Sequence, residues 1–136
     1  MTRVFADTSY WIALTNRHDP HHQAALSMSE QIVRCRVVTS EMVLTEFLNF
    51  FGEKGEFLRK AAVGMVDEIL ADPNVRIWPL ADDLFDRALD LYRSRLDKGY
   101  SLTDCSTMVL MSDEGVTEVL STDPHFEQHG LMILLK

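Results

Sequence analysis

The sequence has few of the features that mark secreted or membrane proteins. Its 136 residues include only two cysteines, four prolines and six glycines. Two cysteines make no disulfide framework, and a chain of this length can bury a core without one, so we expect reduced thiols and a cytoplasmic protein. The longest aliphatic run, residues 131–135, is far shorter than the ~18 residues of a membrane span, so no membrane association is expected.

Positive charge is also scarce. Thirteen Lys and Arg residues stand against 21 Asp and Glu, which gives a formal net charge of −8. This balance argues against a protein that holds nucleic acid by bulk positive charge, but it leaves open local positive charge from a bound metal. Hydrophobic residues make up 46% of the chain and charged residues 25%, which is the balance of a globular protein. Because no linker divides the sequence, we predict a single domain over residues 1–136.

Short β-rich runs alternate with helical patterns along the chain. Strands are predicted over residues 4–6, 37–39, 75–78, 119–121 and 131–135. Helices are predicted from Ser9 and over 21–35, 40–51, 57–71, 82–96 and 101–113, with a turn at 124–128. Asp19-Pro20 reads as the N-cap and first residue of the second helix. This alternation, without hairpin signals, predicts a three-layer α/β/α fold with a mostly parallel sheet of about five strands.

Four acidic residues occupy unusual positions. Asp7 follows the first predicted strand and Asp123 the fourth, and ligands of such sheets bind beyond the strand ends. Asp104 lies on the apolar face of its helix, and Glu46 borders an apolar arc. Helix capping explains each aspartate singly, and a helix-edge position explains Glu46. If all four converge, however, carboxylates ~4 Å apart repel by about 4 kcal/mol at a dielectric near 20, so they must take up protons or bind a cation.

The chemistry of these side chains indicates which cation would fit. A set of carboxylates without Cys or His suits a hard divalent ion, Mg²⁺ or Mn²⁺. A zinc site at His18, Asp19, His21 and His22 is an alternative, but this segment lacks an evident further anchor for the ion.

The four acids lie in short motifs that resemble those of PIN-domain ribonucleases, above all the VapC-type toxins of prokaryotic toxin–antitoxin pairs. The motifs are Asp7-Thr8-Ser9, Thr45-Glu46, Leu102-Thr103-Asp104 and Ser121-Thr122-Asp123. The resemblance covers essentially the whole chain in size and strand–helix order. One departure is Cys105-Ser106-Thr107, where the family usually has alanines. These residues are also small, so close packing on the sheet is expected to survive.

The resemblance implies a Mg²⁺- or Mn²⁺-dependent endoribonuclease that cleaves single-stranded or looped RNA and leaves a 5′-phosphate and a 3′-hydroxyl. The implied catalytic acids are Asp7, Glu46, Asp104 and Asp123. The three aspartates would bind metal directly, and Glu46 would bind through water or orient the attacking water. The implied supporting hydroxyls are Thr8 or Ser9, and Thr122. A cognate antitoxin and a second copy of the chain are the implied protein partners.

Two further groups of residues have a functional and an ordinary explanation. Basic side chains at loops and helix ends are candidate RNA contacts or simply a solvated surface: Arg17, His18, Lys54, Arg59 and Lys60. An excess of apolar residues between 42 and 70 indicates either a buried helix pair or a groove for an antitoxin helix or a second copy. These residues are Phe47, Leu48, Phe50, Phe51, Phe57 and Leu58.

Two other classes of protein share part of this pattern. A phosphoacceptor receiver domain needs paired acids after the first strand, an acceptor Asp after the third and a Lys at the fifth. Here Asp7 stands alone, the third strand runs into Pro79, and no lysine occurs between Lys98 and Lys136. A non-catalytic PIN-like module that binds RNA or protein would keep the acids without metal-dependent cleavage.

Overall fold

The computed structural model describes residues 2–135, which form five β-strands, seven α-helices and one 3₁₀ turn. The strands are β1 (Arg3–Ala6), β2 (Arg36–Ser40), β3 (Val75–Trp78), β4 (Glu118–Leu120) and β5 (Met132–Ile133). The helices are α1 (Thr8–Thr15), α2 (His22–Gln31), α3 (Glu41–Phe50), α4 (Glu56–Ala71), α5 (Leu84–Ser94), α6 (Leu102–Glu114) and α7 (Pro124–Gln128). The 3₁₀ turn covers Ile32–Arg34.

All strands pair in parallel, in the order β3-β2-β1-β4-β5. The chain runs from β1 outward through β2 and β3, then returns to the other side of β1 for β4. The adjacent ends of β1 and β4 are therefore a topological switch point, where α/β sheets bind their ligands. The helices flank the sheet, and the predicted three-layer α/β/α fold is confirmed.

The core fixes the chain on either side of this switch point. Every residue of β1 from Val4 to Ala6 is buried, as expected for a strand covered on both faces. The Trp11 indole of α1 donates a 3.2 Å hydrogen bond to the Thr39 hydroxyl, which donates a 2.9 Å bond to the Ala6 carbonyl. These bonds tie α1 and β2 to the end of β1, immediately before Asp7.

The second helix begins two residues after the predicted Asp19-Pro20 opening. Oδ1 of Asp19 accepts the backbone N–H of His21 at 2.8 Å, so the carboxylate closes a turn instead of capping a helix. The helix proper starts at His22, and it ends at Gln31 because the chain tightens into the 3₁₀ turn. The prediction of a regular helix from about 21 to 35 is therefore wrong at its C-terminal end, and the N-cap is His21 instead of the predicted Asp19.

Two other segments differ from prediction. Residues 124–128, predicted as a turn, form α7, because the Asp123 side chain and Pro124 provide a helix start. The helix predicted over 82–96 is shorter, α5 at Leu84–Ser94, and its apolar residues divide: Leu84 and Ala88 are buried, but Phe85 and Tyr92 are exposed. Both cysteines are free thiols. None of the helices within residues 2–135 has the length and hydropathy to cross a membrane.

Candidate metal and active site

The four acidic residues singled out in the sequence line one pocket of about 300 Å³ at the switch point. The other lining residues are Thr8, Ser9, Ile12, Gly99, Ser101 and His125. The pocket therefore combines the ends of β1 and β4 with the side of α3 and the N-terminus of α6. Among residues 2–135, no Lys or Arg side chain contributes to its lining.

Asp7 sits at the end of β1 and is 4% exposed. It precedes α1 but makes no side-chain capping bond, so the helix-cap explanation fails for it. Its Oδ2 accepts hydrogen bonds from the hydroxyls of Ser121 at 2.9 Å and Ser9 at 3.4 Å. Its Oδ1 is buried without a hydrogen-bond partner. A buried acceptor of this kind is costly unless something fills its coordination.

Asp104 caps a helix and lines the pocket at once. Its Oδ2 accepts the backbone N–H of Ser101 at 3.1 Å, while the Ser101 hydroxyl accepts the backbone N–H of Asp104 at 3.0 Å. This reciprocal pair is the predicted capping box. The cap engages one carboxylate oxygen, so the structural and functional explanations of Asp104 are compatible.

Asp123 follows the same logic at α7. Its Oδ1 accepts the backbone N–H of His125 at 2.9 Å, and its own backbone N–H donates to the Ser121 hydroxyl at 3.0 Å. Glu46 reaches the pocket from α3, where it is half-buried beside the fully buried Phe47. Four acids from four separate segments of the chain thus share one pocket.

Burial and the neighbouring negative charges raise the pKa values of the two buried acids, Asp7 and Asp104. Burial, with repulsion from Asp104 and Glu46, raises the pKa of Asp7 from 3.8 to about 7, against the opposing effects of the Thr8 backbone N–H and the Ser121 hydroxyl. Burial also raises the pKa of Asp104, with further repulsion from Asp123 and Glu46, although the Ser101 N–H and His125 oppose this. The pocket holds more negative charge than its own polar groups can stabilise.

The hydroxyl groups that orient the acids differ in part from those expected. Ser9 contacts Asp7 as expected, but the Thr8 hydroxyl is buried without a partner. Thr122 contributes its backbone N–H, which donates to Ser9 Oγ at 3.2 Å. Ser121, which the sequence analysis did not select, bonds both Asp7 and the Asp123 backbone. Its position as the first residue after β4, beside the end of β1, was the available signal.

His125 is the second residue that sequence reasoning missed. Its Nδ1 lies 3.0 Å from Asp123 Oδ1 and 3.5 Å from Asp104 Oδ2. One ligating atom each from Asp104, Asp123 and His125 can be chosen so that all lie within 4.8 Å of one another. The signal was present in the sequence, because a residue two positions after a helix N-cap lies at the same end of that helix as the cap.

The other predicted functional residues lie outside the pocket. None of the five basic candidates, Arg17, His18, Lys54, Arg59 and Lys60, is among its lining residues. Within residues 2–135, the segment around His18 to His22 does not form a metal-ligating group of three side chains. Instead, Nδ1 of His22 lies 2.6 Å from the carbonyl of Ala13 in the neighbouring helix. The zinc alternative therefore has no support in the structure.

Comparison with known sequences gives the chain relatives over nearly its full length. Residues 4–130 match the PIN domain family. The chain is 28% identical over 131 residues to the 23S rRNA-specific endonuclease VapC20 of Mycobacterium tuberculosis, and the match covers 95% of both chains.

Solved structures agree with the sequence comparison. The chain resembles the crystal structure of M. tuberculosis VapC20, described as a sarcin-ricin loop cleaving toxin, with a TM-score of 0.86, 26% identity and coverage of 95% of this chain and 96% of that one. VapBC2 from Rickettsia felis, bound to a promoter DNA fragment, shares the fold at a TM-score of 0.71, 14% identity and 97% coverage of each chain. FitAcB from Neisseria gonorrhoeae does so at 0.66, with 13% identity and coverage of 96% and 95%. The predicted resemblance is confirmed, and the chain belongs to the PIN domain family.

Proposed function

We propose that this chain is a metal-dependent endoribonuclease, a single PIN-like domain over residues 1–136 that acts in the cytoplasm as the toxin of a toxin–antitoxin pair. The observation that carries the proposal is the convergence of Asp7, Glu46, Asp104 and Asp123 on one pocket without a lysine or arginine in its lining. Such a pocket repels the phosphates of RNA unless a cation neutralises it.

The donor atoms fit Mg²⁺ or Mn²⁺. Carboxylate oxygens are the ligands that both ions accept, and Asp7 Oδ1 is a buried acceptor without a partner. Helix capping engages one oxygen each of Asp104 and Asp123. When bound, such an ion lowers the pKa of a coordinated water and stabilises negative charge on phosphate oxygens.

The protein's own residues divide the remaining work. Asp7, Asp104 and Asp123 hold the ion, and Glu46 orients the attacking water or binds the ion through water. The hydroxyls of Ser9 and Ser121 fix the Asp7 carboxylate, since both lie within hydrogen-bond distance of its Oδ2. Held in this way, the carboxylates need not reorganise during the reaction, which is the condition for strong electrostatic stabilisation.

The proposed substrate class is single-stranded or looped RNA. A net charge of −8 excludes strong general attraction to phosphate, so recognition must depend on the local site and on the shape of the substrate. VapC20, which is 26% identical to this chain in the structural comparison, is described as cleaving the sarcin-ricin loop. This description supports a looped substrate.

Cleavage of mixed RNA by the purified protein tests this proposal. We expect cleavage with Mn²⁺ or Mg²⁺, products that carry 5′-phosphate and 3′-hydroxyl ends, and no cleavage in excess EDTA. Asp104→Asn should reduce the rate more than about 100-fold, because it removes a ligand charge while its amide oxygen can still accept the Ser101 N–H. Asp113→Asn is the control, because this acid lies on the same helix but is exposed in an ion pair with Arg87.

Two results would contradict the proposal. Cleavage that persists in EDTA, or that is equal in the wild type and Asp104→Asn, would exclude a metal centre at these acids. Tight RNA binding without cleavage under any metal condition would favour the non-catalytic binding module.

For the antitoxin we propose a contact on α3 and α4. Phe47 and Phe51 are buried in the core, but Phe50 is 42% and Phe57 82% exposed, with Leu48 and Val63 also exposed. The Nζ atom of Lys54 lies 4.6 Å from the centroid of the Phe50 ring. Apolar side chains beside a cationic one suit the apolar face of an amphipathic helix that carries acidic residues.

Binding of the antitoxin to surface variants tests this contact. Phe57→Asp should weaken binding by more than tenfold with an unchanged melting temperature, because the ring touches little of the core. Leu70→Asp is the control, since Leu70 is exposed on the same helix but about 220° around it from Phe57. Equal binding by both variants would exclude this surface.

For the homodimer we propose the outward face of α5. Phe85 and Tyr92 lie seven residues apart, so they share one side of the helix, and Leu96 follows just after it. They are 54%, 42% and 77% exposed. Sedimentation analysis of the wild type and of Tyr92→Glu tests this: the wild type should be dimeric and the variant monomeric. A dimer that survives the substitution, or a monomeric wild type, would contradict it.

A further inference from the structure

The pocket contains an imidazole in addition to its carboxylates, and the geometry of this nitrogen is unusual. Nδ1 of His125 is buried and lies within 3.5 Å of oxygens of Asp104 and Asp123, yet it is hydrogen-bonded to neither. The nitrogen is therefore brought close to two carboxylates without being aligned on either one. A buried ring nitrogen in this position lacks the partner that such groups normally have.

The distances match those between ligands of one ion. Two donor atoms at right angles, each about 2.1 Å from a shared ion, lie roughly 3.0 Å apart, and wider angles separate them further. The observed separations are 3.0 Å from Asp123 Oδ1 and 3.5 Å from Asp104 Oδ2. Each of these oxygens also accepts a capping N–H and has a second lone pair for an ion. A shared point between the three side chains explains both the short distances and the missing hydrogen bonds.

The surrounding chain holds the ring in this place. The His125 backbone N–H is bound to Asp123 Oδ1, which fixes the start of α7. The Tyr100 ring packs edge-on against the imidazole with centroids 5.7 Å apart. A Cβ on Gly99 would lie only 3.0 Å from His125 Nε2, so the absence of a side chain at this position leaves room for the ring.

An independent observation also indicates a missing ligand in this pocket. Asp7 is 96% buried, and its Oδ1 has no hydrogen-bond partner although the residue lines the same pocket. Asp7 belongs to a different segment of the chain from Asp104, Asp123 and His125. Two residues from separate elements, each with an unsatisfied buried atom, therefore line the same pocket.

We propose that His125 is a nitrogen ligand of the divalent ion and that it makes the site prefer first-row transition ions, with Mn²⁺ as the probe, over Mg²⁺. The inference rests on the proposed function and deepens it, since it concerns the ion held by the same acids. Mg²⁺ is bound through oxygen and gives up its water reluctantly, whereas transition ions also accept imidazole. The all-carboxylate site expected from the sequence is thus replaced by a mixed oxygen and nitrogen site.

Electron paramagnetic resonance of Mn²⁺ bound to the metal-stripped protein tests this without measuring activity. Pulsed spectra of the wild type should show modulation from a directly coordinated ¹⁴N, and those of His125→Asn should lack it. Mn²⁺ affinity should fall by about tenfold or more in His125→Asn, while Mg²⁺ affinity, measured by competition, changes much less. His129→Asn is the matched control, because His129 also packs on Tyr100, with centroids 5.8 Å apart, but is absent from the ligating group.

The outcomes separate this inference from the proposed function. Bound Mn²⁺ without nitrogen modulation in the wild type, or an equal loss of Mn²⁺ and Mg²⁺ affinity in His125→Asn, would overturn the ligand role of His125 and leave the nuclease proposal intact. Failure of the wild type to bind Mn²⁺ at all would overturn both. If His125→Asn does not fold, the spectrum of the wild type alone still decides the question.

Discussion

Replacement of Asp7 by Asn should stabilise the metal-free protein, and increasingly so as the pH rises. The pKa of Asp7 is raised from 3.8 to about 7 in the folded state. Because the folded value lies above the unfolded one, ionisation opposes folding, and stability is lost as the pH rises from the unfolded value through the folded one. The cost is about 1.5 kcal/mol at about pH 5 and about 4 kcal/mol at about pH 8.

Urea denaturation of both proteins in EDTA measures this effect. The quantity to compare is the difference in unfolding free energy between Asp7→Asn and the wild type at about pH 5 and at about pH 8. It should grow by about 2.5 kcal/mol in favour of the variant, whatever constant cost the buried amide adds at both pH values. A difference that does not change with pH, or that changes in the opposite direction, would refute the claim that charge is unfavourable at Asp7.

Two further substitutions test the supporting structure of the site, and a third tests the end of α6. Ser121→Ala removes the 2.9 Å hydrogen bond to Asp7 and should lower the cleavage rate by about 10–100-fold and the unfolding free energy by about 1–3 kcal/mol. A loss of stability with an unchanged cleavage rate would mean that Ser121 supports only the fold. Gly99→Ala should displace the His125 ring and weaken Mn²⁺ binding at a nearly constant urea midpoint; unchanged binding would show that the ring has room to move. Gly115→Ala, at φ +69° after α6, should cost about 1 kcal/mol in urea denaturation without changing the cleavage rate, and a neutral effect would mean that the backbone relaxes there.

The sequence predicted the fold because its local signals agree with one another. Strand-like runs such as 75–78 and the capping box at Ser101 depend on side chains within one turn or one strand, and both appear as expected. The prediction that Asp19 caps the second helix was wrong because its carboxylate accepts the backbone N–H of His21 in a turn. An Asp side chain can form either a turn or a helix cap, and local sequence does not decide between them. Phe85 illustrates a different limit, since it is 54% exposed and an apolar residue on an amphipathic helix need not face the core.

Only part of the site could be predicted from the sequence, because some of its residues are recognised by local position and others only by their contacts. The four acids could be found because each stands at a strand end or on an apolar helix face, and the parallel order of the strands brings these positions together. The role of Ser121 depends on its bond to Asp7, which lies far away in the sequence. The role of His125 depends on how close its ring comes to Asp104 on another helix, as well as to the nearby Asp123. The spacing of residues along the chain does not reveal such contacts. The sequence therefore indicated Thr122 as a supporting hydroxyl, whereas the bond to Asp7 is made by its neighbour Ser121.

Diffraction from crystals soaked in Mn²⁺, measured at a wavelength where manganese scatters anomalously, tests the central claim most directly. That claim is that acids from four segments of the chain share a divalent ion. We expect an anomalous peak in the pocket, about 2.1–2.3 Å from oxygens of Asp7, Asp104 and Asp123 and absent from Asp104→Asn crystals treated in the same way. A soaked crystal with no peak in this pocket, or with the same peak in the variant, would contradict the account.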